Sequence, residues 1–159
     1  MTAPVALPQI SYTGPGFDAA FTASLRKYGF AAVVDHPLDD HRVARIYGDW
    51  LAFFSSGEAS GFRMDPVKQD GYFSLEEAEH AKGFVERDFK EYFQFYPWGR
   101  CPESLQADLA SHFAAAVDLG AELLNCIAGS LPEAVTAELT EPLRDMIHES
   151  ELSMLRVLH

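Results

Sequence analysis

Apolar residues recur along this chain at two spacings, and the spacings predict its elements. Phe17, Phe21, Leu25 and Tyr28 fall at steps of four, four and three, which is one face of an amphipathic helix. A short extended segment around Ile10-Ser11-Tyr12 and the turn Thr13-Gly14-Pro15-Gly16 precede it. Gly29 stands where a C-cap glycine belongs. Phe30-Ala31-Ala32-Val33-Val34, closed by Asp35-His36-Pro37, is a short apolar run that predicts a buried strand. Asp39 is placed to cap a second helix, with Leu38 stapling against Val43. Val43, Ile46, Trp50 and Phe53 or Phe54 form the stripe of that helix. Positions 55–71, with Ser, Gly, Asp and Pro, predict a loop containing one irregular turn, and Tyr72-Phe73 predicts a short strand.

From Asp88 to Tyr96 the period changes to two. One face would carry Phe89, Glu91, Phe93 and Phe95, the other Lys90, Tyr92, Gln94 and Tyr96. Aromatic bodies mixed with polar tips suit a ligand pocket, and the same pattern also suits a half-exposed strand face. After the turn Pro97-Trp98-Gly99-Arg100, Pro102 fits the first position of a long helix over 103–128. Leu105, Leu109, Phe113, Val117, Leu124 and Ile127 would line its apolar side, and Gly129 would stop it. A helix of that length needs a substantial core to lie on, such as the face of a sheet. A shorter helical stretch follows Pro132, and Leu152 to Leu158 predict a buried strand. An apolar strand at the chain's end suggests a polypeptide cut short, because domains usually end in exposed, polar segments.

Composition narrows the class. The 159 residues are 48% hydrophobic and 13% aromatic, which fits a folded domain rather than a disordered tail. Twenty-four acids against twelve bases give a formal charge of −12, with no basic run to meet phosphates. A nucleic-acid partner is therefore disfavoured. No run of eighteen consecutive apolar residues predicts a membrane span. Met1-Thr2-Ala3-Pro4 has neither the basic region nor the apolar core of a secretory signal. Cys101 and Cys126 match no disulfide framework and no metal pair, and read as reduced thiols of a cytoplasmic protein.

Candidate chemistry is sparse. None of His36, His41, His80, His112, His148 and His159 begins an H-x-D or H-x-E pair, and HExxH, zinc and calcium spacings are missing. The sequence also lacks GxGxxG, the P-loop lysine and GxSxG. His36 reads as a strand-exit residue, and His41, His80 and His112 read as helix-surface or loop residues. Asp39-Asp40 and Glu76-Glu77-x-Glu79 read as helix N-terminal charges rather than paired catalytic carboxylates. No catalytic residue and no metal ligand is assigned to this chain.

Four segments nevertheless stand in a familiar order. Leu25-Arg26-Lys27-Tyr28-Gly29-Phe30, followed by Val33-Val34-Asp35-His36, resembles the helix and GFF-x-x-x-NHG opening of Fe(II)- and 2-oxoglutarate-dependent oxygenases similar to isopenicillin N synthase. Gly71-Tyr72-Phe73 resembles their G-Y-Y/F segment, and Asp88-Phe89-Lys90-Glu91-Tyr92-Phe93 their D-x-K/E-E-x-F segment. The long helix is similar to their backbone helix. Leu155-Arg156-Val157-Leu158-His159 is similar to the strand that runs into a Tyr-Pro pair and then the catalytic barrel. One departure is clear: Asp35-His36-Pro37 replaces the Asn-His-Gly turn, so that turn's geometry is open.

The resemblance implies an α+β chain, the N-terminal helix-and-strand portion of a double-stranded β-helix (jelly-roll) oxygenase whose catalytic barrel is not in this chain. It implies a single non-haem dioxygenase N-terminal domain over 1–159, truncated at its C-terminal end. The H-x-D pair, distal His and R-x-S segment would all lie beyond it, so the chain alone would be inactive and hold no cofactor. Fe(II), 2-oxoglutarate, the barrel and a small-molecule substrate to be hydroxylated or desaturated are implied for the parent. Carried onto matching positions, substrate contacts fall on Phe73, Tyr92, Gln94 and Arg156. Arg156 lies among Leu155, Val157 and Leu158, so it belongs either at a surface edge or in a pocket meeting an acidic group. A stand-alone binding or interaction module derived from the same family is the alternative, and a chance match by an unrelated acidic helical domain is the third reading. Without its barrel such a chain would leave apolar surface bare, and poor solubility or a molten state is expected.

Overall fold

The computed structural model describes residues 6–77, 89–148 and 150–159. Met1 to Pro4, Glu79, His80 and Asp88, used in the readings above, lie outside them. The elements in order are β1 (Gln9–Ser11), α1 (Phe17–Tyr28), β2 (Ala32–Val34), α2 (Asp40–Ser56), a 3₁₀ turn (Glu58–Phe62), β3 (Gly71–Phe73) and β4 (Tyr92–Phe95). Then follow α3 (Glu103–Ser130), α4 (Glu133–Thr136), a second 3₁₀ turn (Leu143–Met146) and β5 (Leu155–Leu158). Helices and strands are mixed, as an α+β chain requires, and no closed barrel forms among the described residues. Two compact units result: Met1–Leu38 with Ala115–Glu149, and Asp39–Ala114 with Ser150–His159.

In the first unit, β1 and β2 pair in parallel, with Ile10 opposite Val33. Ile10, Phe17 and Phe21 are buried there, joined by Leu123, Cys126 and Ile127 of α3. Gly29 closes α1 at φ 75°, and its N–H donates to the Leu25 carbonyl at 2.9 Å. The altered turn after β2 places Asp35 at φ 57°, a left-handed conformation that aspartate tolerates better than most residues. Its carboxylate accepts from the Ser11 hydroxyl at 2.6 Å. Phe30 departs from the predicted buried strand: it is 71% exposed, and the strand starts two residues later.

The second unit holds the larger core. Asp39 caps α2 by accepting from the backbone N–H groups of His41 and Arg42, at 2.9 and 3.1 Å. The helix then buries Ile46, Trp50 and Phe53, as its stripe predicts. Trp50 packs on Phe93 of β4 with ring centroids 4.7 Å apart. Phe95 and Leu109 complete the layer. Burying each such side chain is worth about 1.5–3 kcal/mol, so the strand is anchored mainly through this face.

Helix α3 runs to Ser130, past Gly129, because a glycine in helical geometry weakens a helix without ending it. Its buried side also drifts. Leu105, Leu109, Ala110 and Phe113 serve the second unit, whereas Leu123, Cys126 and Ile127 serve the first, where Leu124 was expected. Over its most apolar eighteen residues its mean hydropathy is 1.2, enough by length and composition to cross a membrane. The same helix carries the buried Leu109 and Ala121. Its Asp108 accepts from Arg45 of α2 at 2.9 and 3.0 Å.

Candidate functional site

Strands β3, β4 and β5 form an antiparallel sheet with β4 in the middle. The register sorts its side chains into two sets, because directly opposed residues share a face. Tyr72, Phe93 and Val157 stand in one row, with Phe95 and Leu155 beside them, and these meet the aromatic core. The other face receives the row Phe73, Tyr92 and Leu158, and the row Gly71, Gln94 and Arg156. All four expected pocket residues therefore lie on one face of one sheet.

They touch in sequence. The rings of Phe73 and Tyr92 stack with centroids 4.6 Å apart and an interplanar angle of 15°, with Met64 against them. The Arg156 guanidinium lies over the other part of this group, its Cζ 4.5 Å from the Tyr92 ring centroid. An Arg156 Nη2 hydrogen donates to Gln94 Oε1 at 2.5 Å, and Gln94 Nε2 donates to the Gln69 carbonyl at 2.5 Å. Tyr92 and Gln94 are 1% and 4% exposed, whereas Lys90, Tyr96 and Arg156 on the same face are half-buried. Among the described residues, Arg156 Nε is buried without a hydrogen-bond partner.

Sequence reasoning missed the loop that holds this row. Asp65 accepts from the N–H groups of Val67 and Lys68, and Gln69 closes the turn at φ 61° with its own N–H on the Asp65 carbonyl at 2.7 Å. That turn delivers the Gln69 carbonyl to Gln94. Asp70, 1% exposed, accepts from the Arg100 N–H at 2.7 Å, while Arg100 Nη2 donates to the Arg63 carbonyl at 2.8 Å. Gly71 has φ 103°, and a Cβ there would stand 2.5 Å from the Phe62 carbonyl oxygen. Both facts demand glycine. The Gly-Tyr-Phe segment was the one sequence signal for this arrangement.

A second group sits where the ladder extends past β4. Glu91 and His159 exchange backbone hydrogen bonds at 3.0 and 2.9 Å. His159 Nδ1 lies 2.7 Å from Glu91 Oε1, and the Tyr72 hydroxyl donates to Glu91 Oε2. The imidazole stacks on Phe54 at 5.4 Å. Burial, then the hydrogen bond and charge of Glu91, push the Tyr72 hydroxyl up to about 12. Burial likewise pushes the Cys101 thiol up to about 12. Among the described residues, no three His, Cys, Asp or Glu side chains converge so as to hold a metal ion. The described residues therefore do not fit an iron centre.

No family model matches the sequence. No curated protein matches it either. Solved structures do. A protein from Shewanella oneidensis provisionally assigned as an oxygenase is 38% identical, superposes with a TM-score of 0.86, and covers 97% of this chain. A protein from Caulobacter crescentus provisionally assigned to the 2OG-Fe(II) oxygenase family superposes with a TM-score of 0.68 at 20% identity over 96% of this chain. This chain spans 55% of the length of each. It is thus a structural homologue, over nearly all its own length, of part of an oxygenase-type fold.

Proposed function

We propose that this chain is the N-terminal, substrate-pocket-forming part of an Fe(II)- and 2-oxoglutarate-dependent oxygenase similar to isopenicillin N synthase. The parent enzyme would hydroxylate or desaturate a small molecule in the cytoplasm, with 2-oxoglutarate as co-substrate. The observation that carries this reading is the single sheet face on which Phe73, Tyr92, Gln94 and Arg156 meet. The likeness to the Shewanella oneidensis protein supports it.

In this reading the two compact units belong to one non-haem dioxygenase N-terminal domain. The chain's own residues bind and orient substrate: Phe73 and Tyr92 offer aromatic surface, and Gln94 and Arg156 offer polar contacts fixed in place by β4 and β5. Iron and 2-oxoglutarate are assigned to the remaining length of the parent, where relatives extend beyond this chain. Strand β5 is an outer strand of its sheet, and Leu158 is 56% exposed, which suits a surface that further chain would cover.

The test begins with the source gene. A frame continuing past codon 159 into Tyr-Pro, H-x-D, a distal His and R-x-S is expected. The protein expressed from that frame should then form succinate from 2-oxoglutarate only with Fe(II). A stop codon directly after His159, or no iron-dependent turnover by the extended protein, overturns the enzyme reading and leaves the binding module.

A further inference from the structure

We propose that the recess between α2 and the end of β5 binds a small neutral phenol, whose hydroxyl donates to the imidazole of His159. His159 shares the core-side face of the sheet with Val157, opposite Phe73, Tyr92, Gln94 and Arg156, so the site does not rest on the pocket reading above. Three observations carry it.

First, a formed recess of about 260 Å³ is present there. Trp50, Leu51 and Phe54 of α2 and Val157 of β5 are among its walls, together with Tyr47 and His159. Tyr47 and Leu51 are exposed, so the recess is reached from solvent along α2. A mainly apolar and aromatic lining with a polar group at one end suits an aromatic body carrying a single polar substituent.

Second, Gly48 keeps the recess open. It is one of the walls and lies inside α2, where glycine weakens a helix. An added Cβ would meet nothing within 4 Å, so neither a close neighbour nor a positive φ demands glycine at this position. What its missing side chain leaves is space beside Trp50 and Leu51.

Third, the polar group on the wall is oriented before any ligand arrives. Glu91 Oε1 lies 2.7 Å from His159 Nδ1, the Tyr72 hydroxyl donates to Glu91 Oε2, and the imidazole stacks on Phe54 at an interplanar angle of 8°. A carboxylate only accepts, so Nδ1 carries the proton and the neutral ring keeps its lone pair at Nε2. Nε2 has no hydrogen-bond partner among the described residues. An acceptor with a carboxylate behind it selects an O–H donor and disfavours an anion. The ligand class is therefore a phenol rather than an aromatic acid or ether.

The probes are phenol and anisole, which differ in that hydroxyl, titrated separately into the 159-residue chain. The readout is the backbone amide signals of Tyr47 to Phe54 and Val157 to His159 in a nitrogen–proton correlation spectrum. Phenol should shift them saturably and bind about tenfold more tightly than anisole. His159→Phe, which keeps a ring against Phe54 and loses the acceptor, should reduce phenol to the anisole level. Gly48→Leu should fill the recess and abolish both responses while the spectrum remains that of a folded chain. No saturable response to phenol, equal affinities for the two probes, unchanged phenol affinity in His159→Phe, or a phenol response that survives Gly48→Leu would each overturn the assignment. Succinate formation by the extended protein is a separate measurement, so the oxygenase reading and this site can fail independently.

Discussion

The guanidinium of Arg156 stands 4.5 Å above the ring of Tyr92, on adjacent strands of a sheet whose opposite face is the aromatic core. Phe93, next to Tyr92 in sequence, is fully buried on that opposite face against Trp50. One strand therefore serves two purposes by alternation: odd positions anchor it, and even positions present the candidate site.

The amide of Gln94 ties this arrangement together, since it bonds the Gln69 carbonyl with one end and Arg156 with the other. Gln94→Leu should destabilise the chain by about 1–3 kcal/mol, because it leaves a buried carbonyl and a guanidinium short of partners. Urea unfolding followed by tryptophan fluorescence checks this. A midpoint unchanged from the parent chain would mean that both groups find water instead.

Two glycines should respond to alanine with opposite signs. Gly71→Ala puts a Cβ 2.5 Å from the Phe62 carbonyl oxygen in a left-handed conformation, and a loss of about 2–4 kcal/mol is expected. Gly48 lies within α2, where an added Cβ meets nothing within 4 Å. Gly48→Ala should add about 0.5–1 kcal/mol by favouring the helix. Thermal or urea denaturation of the two variants decides the signs directly.

The two thiols should be sluggish nucleophiles. Burial pushes Cys101 up to about 12; burial and then the Asp18 carboxylate push Cys126 up to about 11. Thiolate is the reactive form, so at about pH 8 alkylation of the native chain should be much slower than that of the urea-unfolded chain. Mass spectrometry after timed alkylation reads both sites. Rapid native labelling of Cys101 would contradict its burial.

Tyr72 sets an alkaline limit on stability. Its hydroxyl is raised from 10.0 to about 12, by burial first and by Glu91 next. The folded state thus holds this proton more tightly than the unfolded state does. The stabilisation is complete below about pH 10 and fades as pH rises toward about 12. Tyrosinate absorbance should show Tyr72 ionising late, and Glu91→Gln should bring it part of the way back while burial remains. An unmoved titration in Glu91→Gln would remove Glu91 from the account.

What the sequence by itself determined was mostly local. The 3.6-residue recurrence of Phe17, Phe21, Leu25 and Tyr28, and of Ile46, Trp50 and Phe53, follows from backbone geometry and needs no distant partner to be seen. The caps at Asp39 and Gly29 are equally local, since a side-chain acceptor or a left-handed glycine acts within one turn. The alternation of Tyr92, Phe93, Gln94 and Phe95 also showed which residues share a face. It left open whether the polar face meets water or protein.

That question belonged to the tertiary structure. Burial of Tyr92 and Gln94 depends on β3 and β5 arriving from positions distant in the chain and on the register that sets Gln94 opposite Arg156. Phe30 came out exposed for the same reason in reverse: an apolar side chain is buried only if something covers it, and hydrophobicity alone does not supply the cover. The drift of α3 from one core to another, and the delivery of the Gln69 carbonyl by a left-handed residue in an irregular loop, likewise depend on long-range packing. Periodicity reports which side of an element is apolar; only the packed chain decides what that side meets.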